Sequence, residues 1–341
     1  MTQILQGRRG WLALLAVALA FPWLVPNSYY VSVGALAFVM VISVLGLNLL
    51  TGYTGQLNLA HGAFMAIGAY TVGILTTSYN VHYWIAFVLA GVVTALSGLA
   101  VGLLSLRLRG NYFAVFTLCV GYIVYLVIEK WESLTQGTVG IMGIPAPPAP
   151  GGFVFESPLA QYYLALAFLV LGLCLMARIT GSLVGRSFMA VRNSEALAQA
   201  IGISLWRTKV LSFVLSVVYA GFAGALYAGQ VRFLGPDIAG EVMTFDLVMF
   251  ALVGGLGTLL GPVVGTFLVT VFTQSLQFLQ DYRMLVFGPA LIALLIFLPD
   301  GIVGAWQKRR ARRATLVSDA KAPTATAMAR VVIPAEDQSN A

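Results

Sequence analysis

Charge is what this chain has least of. Of 341 residues, 19 are Lys or Arg and 12 are Asp or Glu, 9% together, where soluble domains carry about 25%. No charged residue falls between Arg9 and Arg107. The two cysteines, Cys119 and Cys174, each lie inside an apolar run. They read as two buried thiols rather than a disulfide or metal pair. Two histidines with no Cys or acidic cluster nearby give no metal site. The four lysines (Lys130, Lys209, Lys308 and Lys321) all lack a preceding glycine. The phosphate loop G-x-x-x-x-G-K-[ST] is therefore absent, and the chain is not expected to hydrolyse ATP. Apart from span ends, no Asp, Glu, Lys or Arg sits inside an apolar run. Proton-coupled carriers need an ionisable relay at membrane depth, and His61 is the sole titratable candidate near a span centre. These absences argue against an enzyme, a cofactor and a self-powered carrier. If the chain pumps, another subunit supplies the energy.

What is abundant is apolar sequence: 60% of residues are hydrophobic. Apolar runs lie at about 11–26, 31–50, 57–76, 83–106, 112–129, 159–178, 208–229, 246–261, 262–280 and 283–299. Runs of this size match a hydrocarbon core of about 30 Å. No alternation supports a β-barrel. The expected fold is all-α, a polytopic membrane protein of about ten helices. Eight would follow if 246–280 formed a re-entrant hairpin. Residues 11–25 fit either a first span or a secretory signal ending at Ala18-Leu19-Ala20, and the many later spans favour the former.

Basic residues mark the sides. Arg8 and Arg9, then Arg107 and Arg109, then Arg178, Arg186, Arg192, Arg207 and Lys209, then Lys308 onward recur after even numbers of crossings. The intervening loops, 129–158 and 230–246, hold more acids than bases. Ten spans with both termini cytoplasmic satisfy this pattern. The net charge of +7 thus reflects a membrane protein and implies no nucleic-acid partner. Residues 1–306 form the predicted transmembrane domain, with a cytoplasmic loop at about 180–208. Residues 307–341 form a basic, disordered cytoplasmic tail, its start anchored at anionic lipid headgroups.

Two stretches carry the functional signal. The first is GLNLLTGYTGQLNLAHGAFMAIGAY, residues 46–70. It sets Asn48, Thr51, Tyr53, Thr54, Gln56, Asn58 and His61 among glycines within an apolar region. Lipid cannot satisfy such groups, so a gate or path segment is expected. His61 alone reads first as a hydrogen-bonded packing histidine. Gln56 and Asn58 are neutral hydrogen-bond groups suited to a zwitterion or amide in transit. The second stretch is the cytoplasmic loop, where Asn193 or Ser194 is predicted to cap a short helix that Gly202 stops. It is either a solvated connector or a docking helix. AGFAGALYAG (220–229) spaces small residues for close helix crossing, with a partner permease as one candidate for the other side. GGLGTLLGPVVG (254–265) has the wrong spacing for a dinucleotide fingerprint and reads as a Gly–Pro membrane break.

Taken with TQGTVGIMGIP (135–145), AVRNSEALAQAIGI (190–203) and VYAGFAGALYAG (218–229), these stretches resemble the permease subunits of branched-chain amino acid ABC importers. The TQGTVGIMGIP loop makes the LivM-type subunit a closer likeness than its LivH-type partner. Urea and short-amide permeases are sister groups with similar motifs. The resemblance implies a bacterial inner-membrane permease moving Leu, Ile, Val or related substrates by alternating access. It implies a second, LivH-type permease, two cytoplasmic ATPase subunits that bind the ATP, and an extracytoplasmic solute-binding protein. It implies that Asn48, Thr51, Tyr53, Gln56, Asn58 and His61 line or close the path. Arg192, Asn193, Glu195, Ala196, Gly202 and Ile203 would form the coupling motif, with Leu197 where the strict motif has a second alanine. The Pro- and Gly-rich external loop TQGTVGIMGIPAPPAPGG (135–152) and residues 230–245 are expected to form part of the landing surface for the binding protein. A stand-alone channel or secondary carrier is the different-class alternative.

Overall fold

The computed structural model describes residues 15–25, 27–105, 108, 110–149, 154–275, 301–306 and 308–309. The predicted span at 283–299 and nearly all of the predicted disordered tail lie outside those residues. The chain is mostly helical. Five helices among the described residues are long and apolar enough to cross a membrane. They are α2 (Ser28–Asn48) with its continuation to Thr54, α4 (Tyr83–Ser105), α5 (Asn111–Lys130), α7 (Pro158–Gly181) and α10 (Leu205–Val231). Shorter helices fall on the other predicted runs: α1 (Leu15–Leu24), α3 (His61–Thr77), α11 (Glu241–Gly254) and α12 (Gly261–Ser275). A single turn, α6 (Glu132–Thr135), follows α5. Two helices, α8 (Leu183–Asn193) and α9 (Glu195–Ala200), occupy the basic loop where one was predicted.

Local chemistry sets these ends. Ser157 accepts a hydrogen bond from the Ala160 amide and Pro158 opens α7, a position where its missing N–H costs nothing. Ser182 caps α8 and Ser194 caps α9, so Ser194 rather than Asn193 provides the predicted cap. Gly202, at φ +85°, ends the unit as expected.

Two tiers of helices result. The best apolar window of α2 is 83% buried and that of α10 is 67% buried, against 22% for α5 and 28% for α7. Helices α2, α3 and α10 form the inside. The outer faces of α4, α5 and α7 present side chains such as Ile85, Leu96, Ile123 and Leu171. Both cysteines lie on these outer faces, exposed and free, which corrects the expectation of buried thiols. An apolar run in a bilayer protein is apolar on both faces, so its composition does not tell inside from outside.

The small-residue stripe of α10 packs within the chain. A Cβ on Gly68 of α3 would lie 2.2 Å from the Gly221 carbonyl, and one on Gly224 would lie 1.8 Å from the Met65 carbonyl. Backbone meets backbone there. Gly172 of α7 differs, since its Cβ would meet the Tyr219 ring at 3.6 Å, an ordinary contact. Gly172→Ala should therefore leave the melting temperature of the purified protein unchanged or raise it, by up to about 1 kcal/mol of helix preference. Gly68→Ala should lower it, by about 1–3 kcal/mol of overpacking. Equal melting temperatures for the two variants would overturn this crossing.

Helices α7 and α10 are 24 and 27 residues long, or about 36 and 40 Å at 1.5 Å per residue. The α8–α9 unit joins them at one end. At the other end β1 (Ile141–Met142) pairs antiparallel with β2 (Phe233–Leu234), Ile141 opposite Leu234. This ribbon joins the two loops assigned to the external side. The predicted cytoplasmic and external features thus occupy opposite ends of the bundle.

Candidate functional site

The polar stretch begins as α2 loosens. Residues Leu49–Thr54 form a π-helical segment, with the Gln56 amide reaching back to the Leu50 carbonyl at 3.2 Å. Such wide turns cluster at functional sites. Gly55 then takes a left-handed conformation, φ +81°, and ends the helix. Residues 55–60 run back along α2, because His61 Nε2 lies 2.8 Å from the Ser43 carbonyl. Ser43 lies eleven residues before Thr54, about 15 Å up the helix. Helix α3 therefore starts inside the protein, and the predicted span at 57–76 is a short helix preceded by a re-entrant loop.

Neutral side chains hold this loop. The Leu59 amide donates to Thr117 Oγ1 at 3.0 Å, the Ala60 amide to Asn58 Oδ1 at 3.0 Å, and the Gly62 amide to Thr244 Oγ1 at 3.1 Å. A Cβ on Gly121 of α5 would stand 3.2 Å from the Ala60 Cα. Thr117 and Thr244 were not picked out by the sequence. Each is a single hydroxyl in an apolar helix, and nothing in its local pattern signals a backbone partner elsewhere in the chain.

Asn58 and His61 are fully buried. The Ser43 carbonyl can only accept, so His61 Nε2 carries the proton and Nδ1 is left as an acceptor. His61 Nδ1, Asn58 Nδ2 and Gln56 Oε1 are buried without a hydrogen-bond partner among the described residues. Thr51 Oγ1 donates to the Gln56 carbonyl at 3.1 Å, and Tyr53 is buried with Thr180 and Arg192 as polar neighbours. The polar groups of this stretch are all uncharged donors and acceptors.

Asn48 is also fully buried, and both its amide atoms engage the loop after α11. Its Oδ1 accepts from the Gly257 amide and its Nδ2 donates to the Thr258 carbonyl, each at 2.8 Å. Arg192, in the last turn of α8, donates to the Gly52 carbonyl. The structure thus joins one end of the polar stretch to both the basic α8–α9 loop and the Gly–Pro break.

The other residues of the predicted coupling motif sit apart from that junction. Glu195 pairs with Lys209 of α10 at 2.7 Å, the Lys209 side chain being 7% exposed and that of Glu195 46%. Asn193, Ala196 and Gly202 are exposed and Ile203 half-buried. The large apolar side chains Leu197 and Ile201 are 70% and 73% exposed.

Comparison with known proteins accords with this geometry. The family model described as branched-chain amino acid transport system / permease component matches residues 29–295. The high-affinity branched-chain amino acid transport system permease protein LivM of Salmonella typhimurium is 30% identical, covering 86% of this chain and 74% of the relative. LivM of Escherichia coli is 30% identical over 85% of this chain and 73% of its own length. A probable branched-chain amino acid transport permease protein LivH of Methanocaldococcus jannaschii is 25% identical over 79% of this chain and 90% of its own. No solved structure matches. Apolar helices of spanning length, the ordered motifs and a family match over most of the sequence agree, and the chain belongs to the branched-chain amino acid transport permease family.

Proposed function

We propose that this chain is one of two permease subunits of an ATP-driven importer for branched-chain amino acids in a bacterial inner membrane, with both termini cytoplasmic. The observation that carries the reading is the α8–α9 unit. It lies at the basic end of the bundle, is fixed to α10 through Glu195 and Lys209, and holds Leu197 and Ile201 out of the protein. Two large apolar side chains on a short cytoplasmic helix suit the groove of an ATPase subunit. Two ATPases would push on such units as rigid bodies, and the spans would open toward one side. Thr51, Tyr53, Gln56, Asn58 and His61 would line or close the inner part of the path, and Asn48 would hold the loop that borders it. A second permease of the LivH type would complete the path. At the other end the β1–β2 ribbon, with Met142 64% and Val139 66% exposed, would receive a solute-binding protein.

Reconstitution tests the reading. Proteoliposomes holding both permeases and both ATPases should take up radiolabelled leucine only with ATP and loaded binding protein. The chain alone should take up none. Uptake by the chain alone, indifferent to ATP, would refute the importer assignment and favour a channel.

A further inference from the structure

Three helices end at one place. The π-helical end of α2 stops at Thr54, α8 stops at Asn193, and α11 stops at Gly254. Each end carries the partial negative charge of a helix C-terminus. Arg192 lies among them. Arg192 is exposed as a residue, yet its guanidinium turns inward and donates to the Gly52 carbonyl. Glycines make room for it. A Cβ on Gly257 would stand 2.4 Å from Arg192 Nη1, and one on Gly55 would stand 3.2 Å from Arg192 Cγ. A Cβ on Gly52 would strike both Asn48 Oδ1 at 2.2 Å and the Gly257 amide at 2.4 Å. The fork of the guanidinium therefore fills a slot that only glycine backbone leaves open.

Resting on the importer reading, we propose that Arg192 is a positioning residue that makes the inner end of the path follow the ATPases. It links the α8–α9 unit to the Gly52 carbonyl of the π-helical segment. Its role is inward, toward the permease's own backbone, and not as a contact offered to the ATPase. The link reaches the π-helical segment of α2, a wide turn of the kind found at functional sites. Moving α8 would pull on that segment directly. Through Asn48 the pull would also reach the Gly257 loop.

The test uses the whole transporter: both permeases, both ATPases and the binding protein in proteoliposomes. Arg192→Gln should cut radiolabelled leucine uptake roughly tenfold or more, while basal ATP hydrolysis stays within about twofold and no longer rises with loaded binding protein. Arg192→Lys, which keeps the charge and loses the fork, should fall between Gln and wild type. Gly257→Ala leaves α8 untouched and displaces the guanidinium, so it should uncouple likewise. It also strains its own loop at φ +76°, so uncoupling counts for the link only where the melting temperature of the purified permease stays near wild type. The double variant Arg192→Gln, Gly257→Ala should be no worse than the worse single, because both break one link. Uptake near wild type in Arg192→Gln, or additive losses in the double variant, would overturn the proposal. Should Arg192→Gln fail to co-purify with the ATPases, Gly257→Ala decides by the same readouts. If wild type shows no ATP-driven uptake, the importer reading falls and this link falls with it. If wild type is ATP-driven and the variants remain coupled, only the link falls.

Discussion

Glu195→Lys should abolish ATP-driven leucine uptake and the stimulation of ATP hydrolysis, while leaving membrane insertion intact. The cause is local. Helix α9 is six residues long, too short to hold its own shape. Ser194 caps it from within, and its ties to the bundle are the buried Ala198 and the Glu195–Lys209 pair. Lys209 is nearly buried, so its ammonium depends on that carboxylate. Removing one partner of a fully buried pair costs about 3–5 kcal/mol. Glu195 is about half exposed, and solvent screening reduces the expected loss to about 1–3 kcal/mol. The reversal adds repulsion between two ammonium groups, so α9 should detach from α10 and lose its rigid connection. Glu195→Gln still accepts a hydrogen bond from Lys209 and should retain part of the activity. Combining Glu195→Lys with Lys209→Glu should restore part of what the single variant lost. Chain abundance in the membrane separates this outcome from misfolding, because α2, α3 and α10 pack without α9. Normal coupling in Glu195→Lys would remove α9 from the mechanism.

The legible part of this molecule lay where lipid, caps and charge impose simple rules. Apolar runs located the helices. Ser194 and Gly202 bounded α9. Basic clusters put α8–α9 and the β1–β2 ribbon on opposite sides, and the helix lengths place them at opposite ends. What was hidden depends on contacts between distant segments. Asn58 and His61 marked the run 57–76 as unusual, but nothing in it showed that 57–60 fold back along α2 to bring His61 beside Ser43. Thr117 and Thr244 are ordinary threonines until their backbone partners are known. Arg192 was picked out only as part of the coupling motif, and its inward turn follows from glycines at 52, 55 and 257 that lie elsewhere in the chain. The stripe at 220–229 was recognisable as a close crossing, but its partner, α3 of the same chain, was not.

Replacing Asn48 with leucine should be the most damaging single change in the polar stretch. The side chain is fully buried and both ends of its amide are used. Leucine is of similar size, so packing changes little while two hydrogen bonds vanish. The Gly257 N–H and Thr258 C=O would be left without them inside the protein. Each orphaned buried group costs about 1–3 kcal/mol, or about 2–6 kcal/mol for both. Asn48→Asp keeps an acceptor for Gly257 but loses the donor to Thr258, and it buries a carboxylate beside a carbonyl, so it should be no better. Two readouts tell a loop-holding residue from one that touches the solute. If Asn48 holds the loop, the variants lower the melting temperature of the purified permease, and surviving uptake keeps its KM for leucine. If Asn48 contacts the solute, the KM rises and the melting temperature stays put. Gly52→Ala offers an independent check, since the added methyl would sit 2.2 Å from Asn48 Oδ1 and displace it without altering the amide. The same fall in melting temperature in Gly52→Ala and Asn48→Leu would place the loss in the tie itself.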